Sequence, residues 1–146
     1  MKTNLSTFLW FDNNAIEAAK LYCEIFPDAK LTSTSPMSAS FEIGGQNFIA
    51  FNGGPHYKLT PAVSLFVSLN SQAEVDALWN RFLAAGGSES KCGWLTDKFG
   101  LSWQIIPEQL LSLISDKDPA KAQRATQAML KMSKIDIAAI ERAHRG

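Results

Sequence analysis

Residues 91–107, KCGWLTDKFGLSWQIIP, carry the strongest structural signal in the chain. They predict a β-hairpin with Trp94 and Leu95 in the first arm, residues 97–100 in the turn and residues 101–106 in the second arm. Side chains alternate along the second arm, so Leu101, Trp103 and Ile105 fall on one face and Ser102, Gln104 and Ile106 on the other. The first face is wholly apolar and predicts packing on a helix. The second carries a lone amide, Gln104, placed where a sheet could line a cavity. Asp97 and Lys98 sit at the turn and are expected to be a solvated pair.

Upstream of the hairpin the order of signals is strand, helix, strand. Residues 62–69 alternate, with Leu65, Val67 and Leu69 on one face and Ser64, Phe66 and Ser68 on the other. Ser71 and Glu74 form a capping box, Val75, Leu78, Trp79, Phe82 and Leu83 form a helical stripe, and Gly86-Gly87 ends it. A short strand over 88–91 leads into the hairpin. The same order occurs once before. Residues 5–11 read as a strand with Thr7, Leu9 and Phe11 on one face and Phe8 and Trp10 on the other. Asn14 with Glu17 predicts a capped helix start, Ala15, Ala18, Ala19, Tyr22, Ile25 and Phe26 recur at helical spacing, and Pro27 closes the helix. Residues 30–34 suit a strand, and 40–43 and 47–51 flank the hairpin turn Gly44-Gly45. Residues 52–57, Asn-Gly-Gly-Pro-His-Tyr, are loop chemistry.

Each half therefore reads βαβββ, the first unit over 5–53 and the second over 61–106. The expectation is an α+β fold: one domain over 1–107 in which the two units form one curved sheet around a cleft, with helices outside. After Pro107 the pattern turns helical, predicting a C-terminal extension over 108–146 packed on the same domain. A short helix spans 108–114, Asp118-Pro119 opens a longer one, and Asp136 caps the last, with Ile135 and Ile140 placed as a hydrophobic staple.

Composition narrows the function classes. With 146 residues, 46% hydrophobic and 19% charged, the chain suits a folded domain. Its 14 basic and 14 acidic residues cancel, which argues against nucleic acid as partner. No apolar run approaches the ~20 residues of a membrane span. The first residues lack a leader pattern, so a cytoplasmic, unprocessed protein is expected. Cys23 and Cys92 stand in no metal or redox spacing and are expected to be reduced. There are only two histidines, His56 and His144, which makes a multi-histidine metal site or a Ser-His-Asp triad hard to build.

The motifs FLWFDNNAIEAAKLY (8–22), FNGGPHYK (51–58), CGWLTDKFGLSWQIIP (92–107) and DPAKAQRATQAMLKMSKIDIAAIERA (118–143) together resemble the vicinal oxygen chelate superfamily. That superfamily includes glyoxalase I, extradiol dioxygenases and bleomycin-resistance proteins. Within it, they resemble the PhnB-like branch labelled demethylubiquinone methyltransferase-like. The resemblance implies the glyoxalase-like fold, a small-molecule ligand and a homodimer. In the superfamily's enzymes the inward strand faces supply metal ligands. Carried over, those positions fall near Thr7, on Ile49 or Phe51 with Asn52 the nearest polar side chain, near Ser64, and on Gln104. Hydroxyls and apolar groups are poor ligands for a transition metal, so no divalent metal is expected at the usual place. Nor does the methyltransferase label find support: no glycine-rich turn follows the first strand, as binding of S-adenosylmethionine on a doubly wound sheet requires.

The residues leave three functional readings. The first is a metal-free binding protein for a small, partly aromatic molecule. Gln104, Thr7 and Ser64 would orient it, Phe51, Phe66 and Trp94 would wall it, and Asn52 would lie nearby. The second is a small-molecule enzyme, metal-independent, with a displaced metal site, or lyase-, isomerase- or methyltransferase-like as the family label implies, using His56, Asn52 and Gln104. The third is a protein-interaction module with an exposed aromatic face.

Overall fold

Leu9 and Phe11 of the first strand are buried, as are Ala15, Ala18 and Ala19 of the helix that follows it. The structure, a computed structural model, describes residues 1–146. It divides into two units, Met1–Thr60 and Pro61–Gly146.

In the first unit, β1 (Thr7–Phe11) leads into α1 (Ala15–Ile25), followed by β2 (Lys30–Thr34), β3 (Ser38–Ile43) and β4 (Gln46–Asn52). The sheet order is β1-β4-β3-β2, with β1 parallel to β4 and the other pairs antiparallel. Ala15, Ala18 and Ala19 are fully buried and let α1 lie close to the sheet, where Tyr22 meets Phe41 and Phe41 stacks on Phe48. Gly44 and Gly45 both have positive φ, +55° and +81°, as a two-residue turn between twisted strands requires.

The start of α1 differs from the capping box expected of Asn14 and Glu17. The Asn14 side chain makes no capping bond. Asn52, at the end of β4 and paired with Phe11, instead accepts the Ala15 N–H on its Oδ1 at 2.8 Å. A neighbouring strand supplies the cap because the parallel register brings the end of β4 beside the strand-to-helix turn.

The second unit repeats the plan with β5 (Ser64–Leu69), α2 (Gln72–Ala84), β6 (Ser88–Glu89), β7 (Trp94–Thr96) and β8 (Ser102–Pro107), in the order β5-β8-β7-β6. Ser71 caps α2 by accepting the Glu74 N–H, and the Glu74 carboxylate reaches back to the N–H of Asn70. Val75, Leu78, Trp79 and Phe82 bury against the helix-facing side of the sheet, where Phe82 packs on Trp103 with ring centroids 4.9 Å apart.

Asp97 departs from the expected solvated pair. Only 5% exposed, it organises the β7–β8 hairpin. Its Oδ1 accepts the N–H groups of Phe99 and Leu101 at 2.8 and 3.1 Å, and its Oδ2 accepts the indole N–H of Trp103 at 2.9 Å.

The extension consists of α3 (Gln109–Ile114), α4 (Pro119–Leu130) and α5 (Ile137–Arg145). Asp118 and Asp136 cap the last two helices, as their spacing predicts. Leu110, Ala125, Ile135 and Ile140 form one core with Ile106, the side chain that ends the Gln104 face of β8. The extension thus buries the far end of the sheet face opposite α2. Gln72, in the first turn of α2, ties it down: Nε2 donates to the Ile135 carbonyl at 2.8 Å, and Oε1 accepts the Ile137 N–H at 2.9 Å. Replacing Gln72 by Ala removes both bonds and is expected to cost about 1–3 kcal/mol. Faster amide exchange confined to residues 133–140 would check this.

Two carboxylates make the extension sensitive to acid: Asp76 of α2 holds Lys134 across the docking, and Asp116 ties the α3–α4 connection to α5 within the extension. Asp76 is held below the usual carboxylate range, first by its hydrogen bond with Lys134 and then by Gln72. Asp116 is lowered first by the Asp118 N–H and then by His144, whose Nε2 lies 2.8 Å from Oδ2. The folded chain favours their charged forms, so their contribution is complete above the unfolded carboxylate value of ~3.9 and is lost as pH falls through the lower folded values. Melting curves below about pH 4 should show a steeper loss of stability for the wild-type chain than for the double variant D76N/D116N. Equal slopes would mean neither carboxylate matters.

Candidate functional site

Strand register determines which side chains share the open face of the second sheet. Phe66 pairs with Gln104 and Gln104 with Trp94, so the three stand in one row across β5, β8 and β7. The neighbouring row holds three hydroxyls, Ser64, Ser102 and Thr96, and Ser88 of β6 continues it. Beyond Gln104 the face ends at Ser68 and Ile106, where the extension begins. None of these positions is ionisable.

The groups on this face have unused bonding capacity. Gln104 Nε2 donates one N–H to Ser64 Oγ at 3.0 Å, which leaves its second N–H and Oε1 without a partner. Ser102, 1% exposed, has a buried hydroxyl with no hydrogen bond. Three of the four tryptophans have their indole N–H bonded: Trp10 to the Gly54 carbonyl, Trp79 to Glu89 and Trp103 to Asp97. Trp94 alone does not, and neither its ring nor the half-exposed Phe66 ring touches another aromatic. A buried hydroxyl usually finds a partner, so the unpartnered Ser102 Oγ beside the partly exposed Gln104 amide marks this face out.

The open face of the first sheet has a different character. Phe8 and Trp10 of β1 lie beside Ile49 and Phe51 of β4, and Ser38 and Ser40 of β3 border them. Its rings already satisfy one another. Phe8 packs on Phe51, Phe51 on Trp10, Trp10 on Tyr57, and Tyr57 on His56, at centroid distances from 4.8 to 5.4 Å. The Trp10 ring lies so close over Gly53 that a Cβ there would sit 2.2 Å from it.

The sequence-derived candidates therefore separate. Ser64, Phe66, Trp94 and Gln104 come together on one face. Phe51 lies on the open face of the other sheet. Thr7 pairs with Phe48 on the helix side, because the pleat that buries Leu9 and Phe11 under α1 carries Thr7 with them. It cannot serve as an open-face partner of Phe51. Asn52 is committed to capping α1. His56 contacts Tyr57, and no carboxylate positions its ring. Sequence reasoning placed Ser102 on the Gln104 face and Phe8 with Trp10 on one face of the first strand but did not single them out as site residues, and it gave Thr96 no face. The alternation in β8 and β1 carried the signal for Ser102, Phe8 and Trp10. Thr96 needed the β7–β8 register.

The donor set decides whether a divalent ion fits. On the second sheet the available oxygen donors are one amide and neutral hydroxyls, and Gln104 turns its NH2 group toward Ser64. On the first sheet the corresponding positions are Phe8, Trp10, Ile49 and Phe51. No three His, Cys, Asp or Glu side chains come together. These residues do not fit a divalent ion, which needs anionic or imidazole ligands.

Two βαβββ repeats, each with a four-stranded mixed sheet, define the vicinal oxygen chelate class. More closely, the profile of the 3-demethylubiquinone-9 3-methyltransferase family matches residues 3–106, and the chain belongs to that family, the PhnB-like branch of the superfamily. Residues 118–143, a further point of resemblance in the sequence, lie outside the matched span. Among solved structures, a putative 3-demethylubiquinone-9 3-methyltransferase, PhnB protein, from Bacillus cereus is 26% identical with a TM-score of 0.64, covering 72% of this chain and 99% of its own. A Pseudomonas aeruginosa protein is 24% identical with a TM-score of 0.62, covering 73% of this chain and 98% of its own. The Listeria monocytogenes fosfomycin resistance protein FosX, solved with Mn(II) and sulfate, shares the fold at 17% identity and a TM-score of 0.53, over 70% of this chain and 88% of its own. Among functionally curated proteins, none is significantly similar to the chain.

Proposed function

We propose that this chain is a metal-free binding protein for a small, partly aromatic molecule held on the open face of its second sheet. The observation that carries the reading is the row Phe66–Gln104–Trp94, two unstacked rings flanking an amide with bonding capacity to spare. Apolar walls with a few convergent polar groups are the usual make-up of a small-molecule site. A divalent metal of the kind named for FosX has no suitable donors here. The methyl transfer in the family's description lacks a recognisable site for its donor as well, since Asp12, Asn13 and Asn14 join β1 to α1 without a glycine. The enzymatic alternative loses Asn52 to its capping role and leaves His56 without a positioned base partner.

A fragment library screened by ligand-observed NMR tests the reading. Phe66→Ala and Trp94→Ala are each expected to weaken a hit about tenfold, the effect of losing one stacked ring. Thr7→Ala should leave binding unchanged. Hits insensitive to both aromatic variants would overturn the assignment. The same reading takes the chain to be a cytoplasmic homodimer, which light scattering tests by a mass twice the 16.0 kDa of one chain.

A further inference from the structure

We infer that the ligand of this face is electrically neutral and planar, and presents an N–H beside a C=O on one edge, as a lactam does. The inference rests on the binding reading above and specifies its chemistry. Three observations lead to it.

The first is spacing. Phe66 and Trp94 stand on strands either side of β8, so their backbones are roughly 10 Å apart at the usual strand separation. A flat ring inserted between two others needs about two layers of ~3.5 Å. The row therefore has room for one planar ring, and neither flanking ring has another aromatic partner. The second is the floor of the row. Ser64 holds one Gln104 N–H at 3.0 Å and so fixes the plane of the amide. With Ser64 on the N–H that points away from Oε1, the other N–H and the Oε1 lone pair on its side present a donor next to an acceptor. Such an edge pairs in two-point fashion with an acceptor next to a donor, the way Gln reads a base edge. The third is charge. Rows from Ser64 to Ile106 contain hydroxyls, one amide and apolar groups. An anion or cation placed there would lose its water with no countercharge in return. Ser102 adds an unpartnered, buried hydroxyl in the row next to Gln104. The extension closes the opposite end at Ile106, so a longer ligand would project along the Ser64–Ser102–Thr96 side.

Calorimetric titration of the intact chain with three bicyclic probes tests this: the lactam isocarbostyril, its N-methyl derivative, and naphthoate. Isocarbostyril is expected to bind at least about tenfold more tightly than either of the others, since a site built for a hydrogen bond rejects analogues that lack it. Gln104→Leu should abolish the preference for isocarbostyril over its N-methyl derivative while leaving the discrimination against naphthoate, and Gln104→Glu, similar in size but without N–H donors, should also remove the preference over the N-methyl derivative; unchanged melting temperatures would show both variants folded. Equal binding of all three probes, lost in Trp94→Ala, would overturn the edge-reading inference and leave the aromatic site standing. Binding of none of them would overturn the inference, and persistence of that result across the fragment library would remove the binding reading with it.

Discussion

Asp97→Ala will destabilise the second unit by about 3–5 kcal/mol, the largest effect expected of any single polar substitution in this chain. The carboxylate is 5% exposed and accepts three N–H groups, two from the turn it begins and one from the Trp103 indole. Alanine leaves the indole N–H of a residue only 1% exposed without its acceptor, and it frees the backbone turn that holds β8 in register. Urea denaturation reads the loss directly. Asp97→Asn separates charge from geometry. It keeps an oxygen for the Phe99 and Leu101 N–H groups but points an NH2 at the Trp103 N–H, so the cost should be smaller than for alanine and should shrink further with Trp103→Phe in the same chain. A cost under 1 kcal/mol for Asp97→Ala would mean that the turn stands without its carboxylate.

Gly93→Ala is the second substitution with a large expected cost, about 2–4 kcal/mol. Gly93 has φ +83°, a conformation costing roughly 1–2 kcal/mol with a side chain present. A Cβ would also lie 2.6 Å from Ile106 Cδ1, 3.0 Å from Ile135 Cγ1 and 3.1 Å from the Ile105 carbonyl. The isoleucine ends can turn, but the carbonyl cannot, because Gly93 and Ile105 are already joined by a 2.8 Å backbone bond. Overpacking of this kind typically adds ~1–3 kcal/mol. Since Gly93 also donates to the Ser133 carbonyl at 2.7 Å, the variant should loosen the extension as well as shift the neighbouring Trp94. Increased amide exchange at residues 132–137, beyond that of distant helices, would support this; a uniform change would contradict it.

The repeated strand–helix order was readable because each element is amphipathic at its own period and most are bounded by glycine, proline or a capping residue. The face of β8 was readable for the same reason, and Ser64, Phe66, Trp94 and Gln104 could be grouped from sequence, though together with Thr7, Phe51 and Asn52, which the fold places elsewhere. What could not be read was where polar groups find distant partners. Asn52 caps a helix 37 residues away in sequence, and Gln72 holds backbone 63 and 65 residues away. Asp97 looks like an ordinary turn carboxylate until Trp103 is seen to close on it. Thr7 illustrates the opposite failure. Its face was set by Leu9 and Phe11, yet family position placed it near a ligand set, and the pleat rules that out.

On the proposed reading, this member of the family binds a neutral organic molecule without a divalent metal. Native mass spectrometry on freshly purified, tag-free protein tests it most directly, since subunit number, metal and retained small molecules are read together. The expected spectrum shows no stoichiometric divalent metal, and a retained organic ligand or an added isocarbostyril adduct that Trp94→Ala diminishes. A divalent metal at one per chain, surviving exchange into metal-free buffer and removed by Gln104→Leu, would contradict it.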